Sequence, residues 1–258
     1  MGPNHPSTGD AINELALAYR HEGQWKEAER LYRRALAIYQ AAPGSRQVPV
    51  ALNNLAQTLA AQQRRGEAER LFRQALAQSG RQLGPDHPDV AAELTGLAEL
   101  LGSRRKYADA ERLLRRAQEI DRRSFPPDHP QIASDLTHAA DLAFERKQYA
   151  QAEELLNQAS AILKRTFAPN HLEIGKVTAS LAEIRRCQHR LDESEDLYRR
   201  GIAILEQAWG PENPQLLTTL ERYSLVLRAR QQYAQSAQVD TQVMKIRVTR
   251  TLRKPAAL

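Results

Sequence analysis

The stretch AERLFRQAL, Ala68–Leu76, returns 42 residues later as AERLLRRAQ, Ala110–Gln118, and again as AEELLNQAS, Ala152–Ser160. A looser copy, SEDLYRRGI, begins at Ser194, a weak one begins around Ser236, and AERLYRRAL precedes the quoted stretch by 40 residues. The chain therefore contains six units. A fixed period of this length is typical of a solenoid, in which each unit buries its apolar face only against its neighbours.

Each unit predicts two helices. In the second unit, Leu52, Leu55 and Leu59 follow the spacing of one apolar helix face, and the quoted stretch repeats that spacing after a short polar turn. Loop strings such as GPDHP, Gly84–Pro88, separate the units. Their glycine and proline end one helix, and Pro88 fits the first position of the next. No segment has the pattern of a strand.

The period also sets the boundaries. We predict a single array over residues 1–250, with a degenerate or capping last unit and a disordered basic tail at 251–258. In the last helix, Val239, Val243 and Ile246 form an apolar stripe that needs a cover, which predicts either a frayed end or self-association through this C-terminal helix. The predicted units span residues 2–41, 42–83, 84–125, 126–167, 168–209 and 210–250.

Composition excludes several classes of protein. The 258 residues contain 37 Lys and Arg against 31 Asp and Glu, so the net charge of +6 is a small remainder of a balanced mixture. Such a mixture is typical of solvated helices with ion pairs. No uncharged stretch is long enough to cross a membrane, and no secretion signal is visible at the N-terminus. Cys187 is the only cysteine, which favours a reducing, cytoplasmic location.

The pattern LxxLAxxL at Leu52–Leu59, followed by Ala68, Phe72 and Ala75, resembles the tetratricopeptide repeat. The 42-residue spacing, together with LGPDHPDVA and ALNNLA, is similar to the kinesin light chain type of that repeat. The resemblance implies an all-α, right-handed superhelical solenoid of about six helix-turn-helix hairpins, or about twelve helices. It also implies a binding role, because this repeat serves many such roles.

The last units depart from the repeat. The fifth has Arg185 and Gly201 where the repeat prefers a larger apolar residue and an alanine, and the sixth has Ser224, Ser236 and Asp240 at signature positions. These departures favour a solubilising cap or a partly degraded end.

Candidate catalytic and metal-binding residues are few. His87, His129 and His171 recur in successive loops, so stacking keeps them too far apart to share one ion, and we interpret them as turn and helix-start residues. Cys187 and His189 have no specific catalytic spacing. We therefore expect no enzyme activity, no metal and no cofactor.

The remaining candidate surface is a groove lined by the first helices. Asn53 and Gln57 lie beside the packed stripe of their helix, and the resemblance implies that this second stripe faces the concave side. Amide side chains there can pair with the backbone of an extended peptide. Carried through the repeats, the candidate peptide-binding residues are Asn13, Leu17, Arg20, Asn53, Asn54, Gln57, Thr95, Glu99, Thr137, His138, Asp141, Lys176, Glu183, Arg186, Arg222 and Arg228.

Charge is uneven along this groove. Glu99 and Asp141 make its middle acidic, whereas Lys176, Arg186 and Arg228 make its C-terminal part basic. A protein or peptide ligand is therefore expected to present acidic residues toward units five and six.

Two alternatives stay open. The chain starts in mid-pattern, since Gly2–Pro6 already matches an inter-repeat loop, so it could be a sensor or regulatory segment of a larger signalling protein. Arg-rich second-helix faces such as Arg112–Arg116 could instead bind RNA or DNA. Nucleic acid is the weaker expectation, because no aromatic row interleaves the arginines.

Overall fold

The computed structural model describes residues 5–42 and 44–252, and only the backbone of residues 250–252. No strand occurs in these ranges, and the helices pair as the six predicted hairpins, which confirms the all-α fold. The helices are α1 (Pro6–His21), α2 (Trp25–Ala41), α3 (Gln47–Ala61), α4 (Arg65–Gln82), α5 (Pro88–Ser103), α6 (Tyr107–Ser124), α7 (Pro130–Glu145), α8 (Tyr149–Thr166), α9 (Leu172–Cys187), α10 (Leu191–Trp209), α11 (Leu217–Ala229), preceded by a 3-10 turn (Pro214–Leu216), and α12 (Tyr233–Leu252).

The chain divides into two compact units, Met1–Pro126 and Pro127–Leu258. The first contains the hairpins α1–α2, α3–α4 and α5–α6, and the second contains α7–α8, α9–α10 and α11–α12. In both units every first helix packs mainly against the second helix of its own hairpin, as the nearest-neighbour logic of a repeat array requires. None of the described helices is long and apolar enough to span a bilayer.

The loop histidines begin helices. His87 is the residue before α5, and its Nδ1 accepts a hydrogen bond from the backbone N–H of Asp89 at 3.2 Å. His129 and His171 do the same before α7 and α9. Each cap satisfies a backbone donor that has no partner inside its helix, and Pro88 and Pro130 occupy the first helical position as predicted. This confirms the helix-start interpretation of these histidines.

Buried or half-buried glutamates tie successive hairpins together. The glutamate near the start of a second helix accepts hydrogen bonds from arginine and glutamine side chains at the turn of the next hairpin, and we call this arrangement the inter-hairpin clamp. Glu29 also pairs with Arg33, one turn along its own helix. The clamps are Glu29 with Gln62 and Arg64, Glu69 with Arg104, Glu153 with Arg185 and Gln188, and Glu195 with Arg230 and Gln232.

The departures of the last units are compensated by contacts within the described chain. A Cβ on Gly201 would lie 3.1 Å from the backbone N of Ala179, so glycine there lets α10 cross α9 at very short range. Arg185 is a clamp donor to Glu153. In the last hairpin, the Ser224 hydroxyl donates to Asp240 Oδ1 at 2.7 Å and lies 3.0 Å from the Ser236 hydroxyl. The polar signature positions therefore form one satisfied network.

The apolar stripe of the last helix is covered within the chain. Val243 and Ile246 are buried in a core that includes Tyr198, Leu205 and Leu220, and Val239 packs against its edge. The stripe therefore has its cover within the chain, and self-association through this helix stays a prediction. Helix α12 also continues two residues into the predicted tail, and residues 253–258 lie outside the described part of the chain.

One carboxyl is buried without a basic partner. Glu93 of α5 is 3% exposed, and its Oε1 accepts a hydrogen bond from the Ser79 hydroxyl of α4. Its Oε2 has no hydrogen-bond partner within the described residues. Burial raises the pKa of Glu93 to about 7 despite the Ser79 hydrogen bond, and nearby Asp89 adds to the rise.

Glu93→Gln should therefore change how stability depends on pH. Folded Glu93 keeps its proton to a higher pH than unfolded Glu93, so the free energy of unfolding falls as pH rises from about 4.5 to about 7, by up to about 3 kcal/mol. The amide cannot ionise, so the variant should gain stability over the wild type at pH 8 and lose most of that advantage at pH 4. Thermal melts at both values test this, and an equal effect at both would contradict it.

Gly96 sits at a tight crossing between α5 and the preceding hairpin. A Cβ there would lie 2.6 Å from Phe72 Cε1 and 3.3 Å from Asn53 Oδ1. Phe72 is buried and its ring has no free space to move into, so the two packed helices would have to shift apart. Gly80 of α4, in contrast, has no heavy atom within 4 Å of such a Cβ.

The two glycines make a matched pair for a stability test. Gly96→Ala should lower the free energy of unfolding by about 1–3 kcal/mol through overpacking. Gly80→Ala should raise it by about 0.5–1 kcal/mol, because alanine is the better helix former and meets open space. Urea titrations of the two variants measure both values, and a Gly96→Ala protein as stable as the wild type would contradict the close contact between α5 and Phe72.

Candidate functional site

In the first unit, side chains of neighbouring first helices meet on one face. Asn54 Nδ2 of α3 donates to Asn13 Oδ1 of α1 at 3.3 Å, and an Arg20 guanidinium N–H of α1 donates to Gln57 Oε1 of α3. Asn53 reaches toward α5, where Gly96 leaves room for its amide oxygen. The predicted offsets therefore bring these residues together. We call this row of amides and guanidinium the amide ladder.

The other predicted residues of this unit differ in how far their side chains are exposed to solvent. Leu17 is half-buried and Glu99 is exposed, so both present surface to solvent. Thr95 is buried at 9% exposure, which leaves little of it for a ligand. In the first unit the accessible part of the predicted groove is thus formed by α1, α3 and the end of α5.

In the second unit, α7 contributes Thr137, His138 and Asp141. The Thr137 hydroxyl donates to the Ala133 carbonyl of its own helix at 2.9 Å. His138 Nε2 lies 3.3 Å from the Ser134 hydroxyl, and Asp141 is exposed. Of the three, Asp141 is the most open to solvent, and it keeps this part of the face acidic.

Glu183 is the centre of a buried network on α9. It is 6% exposed, and its carboxylate accepts two hydrogen bonds from Arg186, at 2.8 Å each, and one from the Tyr198 hydroxyl at 2.7 Å. Arg222 Nε of α11 lies 3.7 Å from it. Burial opposes ionisation, but the hydrogen bonds from Arg186 and Tyr198 outweigh it, so the pKa of Glu183 lies below its usual value.

The predicted basic residues of this unit have acidic neighbours. Lys176 Nζ lies 2.8 Å from Glu173 Oε1 and 5.8 Å from the Trp209 ring centre. An Arg228 Nη lies 2.5 Å from Asp240 Oδ2, and its Nε donates to Ser236. With Arg186 held by Glu183, the longest of these ion pairs is that of Arg222. The positive charge of these four predicted residues is therefore largely neutralised by acidic side chains of the same unit.

Sequence reasoning missed Tyr198 and Asp240 as parts of this site. Both occupy the second-helix position that holds Phe72, Leu114 and Leu156 in other units. A polar group at a position that is apolar in other copies was the available signal. In the first unit the equivalent Tyr32 hydroxyl has no partner among the residues described, because the equivalent of Glu183 there is Leu17.

No group of three His, Cys, Asp or Glu side chains in residues 5–42 and 44–252 could hold a metal ion. Cys187 is half-buried, and its Sγ lies 3.6 Å from an Arg186 Nη. His189 instead occupies a turn position with positive φ.

Comparisons with known proteins agree with this architecture. The family model of the tetratricopeptide repeat matches residues 1–41, 47–123, 92–165 and 173–247. A kinesin light chain-like protein of nearly identical TPR-like repeats from Podospora anserina is 25% identical, with a TM-score of 0.57, covering 79% of this chain and 98% of that one. No match is found among curated proteins.

Two further solved structures share the fold at lower identity. BtubC (BKLC) from P. vanneervenii is 17% identical with a TM-score of 0.63, covering 93% of this chain and 94% of that one. A Rap protein complexed with Competence and Sporulation Factor is 16% identical with a TM-score of 0.67, covering 94% of this chain and 76% of that one. These likenesses concern the fold alone.

Glu183→Gln should destabilise the second unit in a pH-dependent way. Because the folded pKa is lowered, the Glu183 carboxylate contributes stability above its unfolded pKa and loses it as pH falls through the folded one. We expect a loss of about 2 kcal/mol at pH 7 that shrinks at pH 3. Glu173→Gln, on the surface of the same helix, is the control and should cost under about 0.5 kcal/mol. Urea titrations at the two pH values test this, and equal losses for Glu183→Gln would contradict it.

Proposed function

Because the chain belongs to the tetratricopeptide repeat family, we propose that it is a non-catalytic scaffold that binds a protein or peptide along the faces of its first helices. The observation that carries this proposal is the amide ladder of the first unit. Four of its members, Asn13, Arg20, Asn54 and Gln57, are held by hydrogen bonds between neighbouring first helices, so a ligand need not order them on binding.

The ladder has the chemistry that an extended peptide needs. An amide side chain has two donors and an acceptor with two lone pairs, and the pair Asn13–Asn54 uses only one of each. The remaining groups can pair with the N–H and C=O of a peptide backbone, which recur along an extended strand. Affinity would then come from several modest polar contacts, with Leu17 as an apolar neighbour.

In the second unit, support comes from Leu225 and Arg222 of α11. Leu225 is 50% exposed and occupies the groove position held by Gln57 and Glu99 in the first unit. Arg222 is exposed and has the longest ion pair of the predicted basic residues. We propose that a ligand places an apolar side chain on Leu225 and an acidic one near Arg222.

Two finer points belong to the same proposal. The Rap neighbour is seen in complex with Competence and Sporulation Factor, so the architecture is compatible with a bound ligand. We also propose a cytoplasmic location, because the single cysteine cannot form an internal disulfide.

Selection from a random peptide library displayed on phage, with the whole chain as bait, tests the proposal. Peptides selected on the wild type should bind the double variant Asn54→Ala/Gln57→Ala roughly tenfold more weakly, because two hydrogen-bonding side chains are lost. Arg34→Ala/Arg70→Ala, on exposed second-helix positions, should bind as the wild type does. Failure to select any peptide, or equal binding to all three proteins, would reject the proposal.

A further inference from the structure

One core position of the repeat is polar in a single unit. The position ten residues after the start of each quoted second-helix motif holds isoleucine in five copies, at Ile38, Ile120, Ile162, Ile204 and Ile246. Four of these are buried and Ile204 is partly buried. The remaining copy has Gln78, which is half-buried. The position thus has a branched apolar side chain in five units and an amide side chain in the second unit.

The exception coincides with a cleft in the first unit. A cavity of about 380 Å³ opens between α2 and α4, with Leu52 of α3 among its lining residues. Gln78 lines it with Gln40, Gln74, Arg73 and Arg81, and no acidic residue does. The cleft therefore lies on second helices, whereas the amide ladder lies on first helices.

The polar groups of this cleft are available to a ligand. The side chains of Gln40, Gln74 and Gln78 make no hydrogen bond within the described ranges. Arg81 uses only its Nε, which donates to the Ala77 carbonyl, and Arg73 is held through one Nη by Glu69. Each guanidinium thus retains N–H donors with no internal acceptor, and each amide retains both a donor and an acceptor.

We propose that this cleft is a second binding site that takes an acidic peptide segment of a partner protein. Arginine donors match carboxylates in geometry and charge, and the three amides match the alternating donors and acceptors of a peptide backbone. A nucleic acid fits less well, because the lining has no aromatic side chain on which a base could stack. With ligands on both faces, one chain would bridge two partners.

Fluorescence anisotropy of the full chain with a labelled, end-capped hexaglutamate peptide tests the site. The wild type should bind hexaglutamate and not hexalysine. Arg81→Gln, which removes one charge from the cleft, should weaken binding about tenfold. Gln78→Ile restores the residue that the other five copies carry and fills the cleft, so it should fold at least as well and bind at least tenfold more weakly.

Two controls separate this site from general charge and from the amide ladder. Arg112→Gln removes an exposed positive charge from α6, and Asn54→Ala/Gln57→Ala alters the ladder, so both should bind hexaglutamate as the wild type does. Equal losses in Arg112→Gln, unchanged binding in Gln78→Ile, or no binding to the wild type would overturn the proposal. Tighter binding of an oligothymidylate that is likewise lost in Arg81→Gln would overturn it in favour of nucleic acid.

Discussion

No hairpin of this chain can bury its apolar faces alone, and the contact between one hairpin and the next is the constraint on which the structure depends. Alanines at the crossings, such as Ala56 and Ala68, are almost fully buried and let the helices approach closely. The inter-hairpin clamp then fixes the register, because a buried glutamate such as Glu195 pairs through Oε1 with Arg199 of its own helix but needs Arg230 and Gln232 of the next hairpin to satisfy Oε2.

Departures from the repeat fall into two kinds, and the difference separates structure from function. Departures of the first kind are matched by their surroundings. Helix α9 packs closely against Gly201, Glu153 accepts a hydrogen bond from Arg185, and Ser224 donates to Asp240. Gln78 is of the second kind, since its amide has no partner in the described chain and the volume beside it stays open. Compared with departures that are compensated, a polar residue without a partner that borders an open cleft is the better sign of a site.

The sequence predicts the hairpins and the histidine helix starts because both follow from local spacing within one period. It does not predict the clamp, since Glu29 has Arg33 one turn away and nothing local indicates that Arg64 will also reach it. The cover over Val243 and Ile246 was missed for the same reason: it comes from α10 and α11 in three dimensions. The row of first-helix residues can be read from the period, but their pairings cannot.

Those pairings decide how charge acts on a ligand. A carboxylate that approaches Arg186 must compete with Glu183, which already makes two hydrogen bonds to it from a buried position, so the exchange gains little. Among the described residues, Arg81 has no carboxylate partner to displace, and the amides beside it make no hydrogen bond. The net charge of +6 is therefore a poor guide to where an acidic partner binds. Recognition on the first helices should depend mainly on amide and apolar contacts, and recognition of negative charge should depend on arginines such as Arg81 that have no carboxylate partner among the described residues.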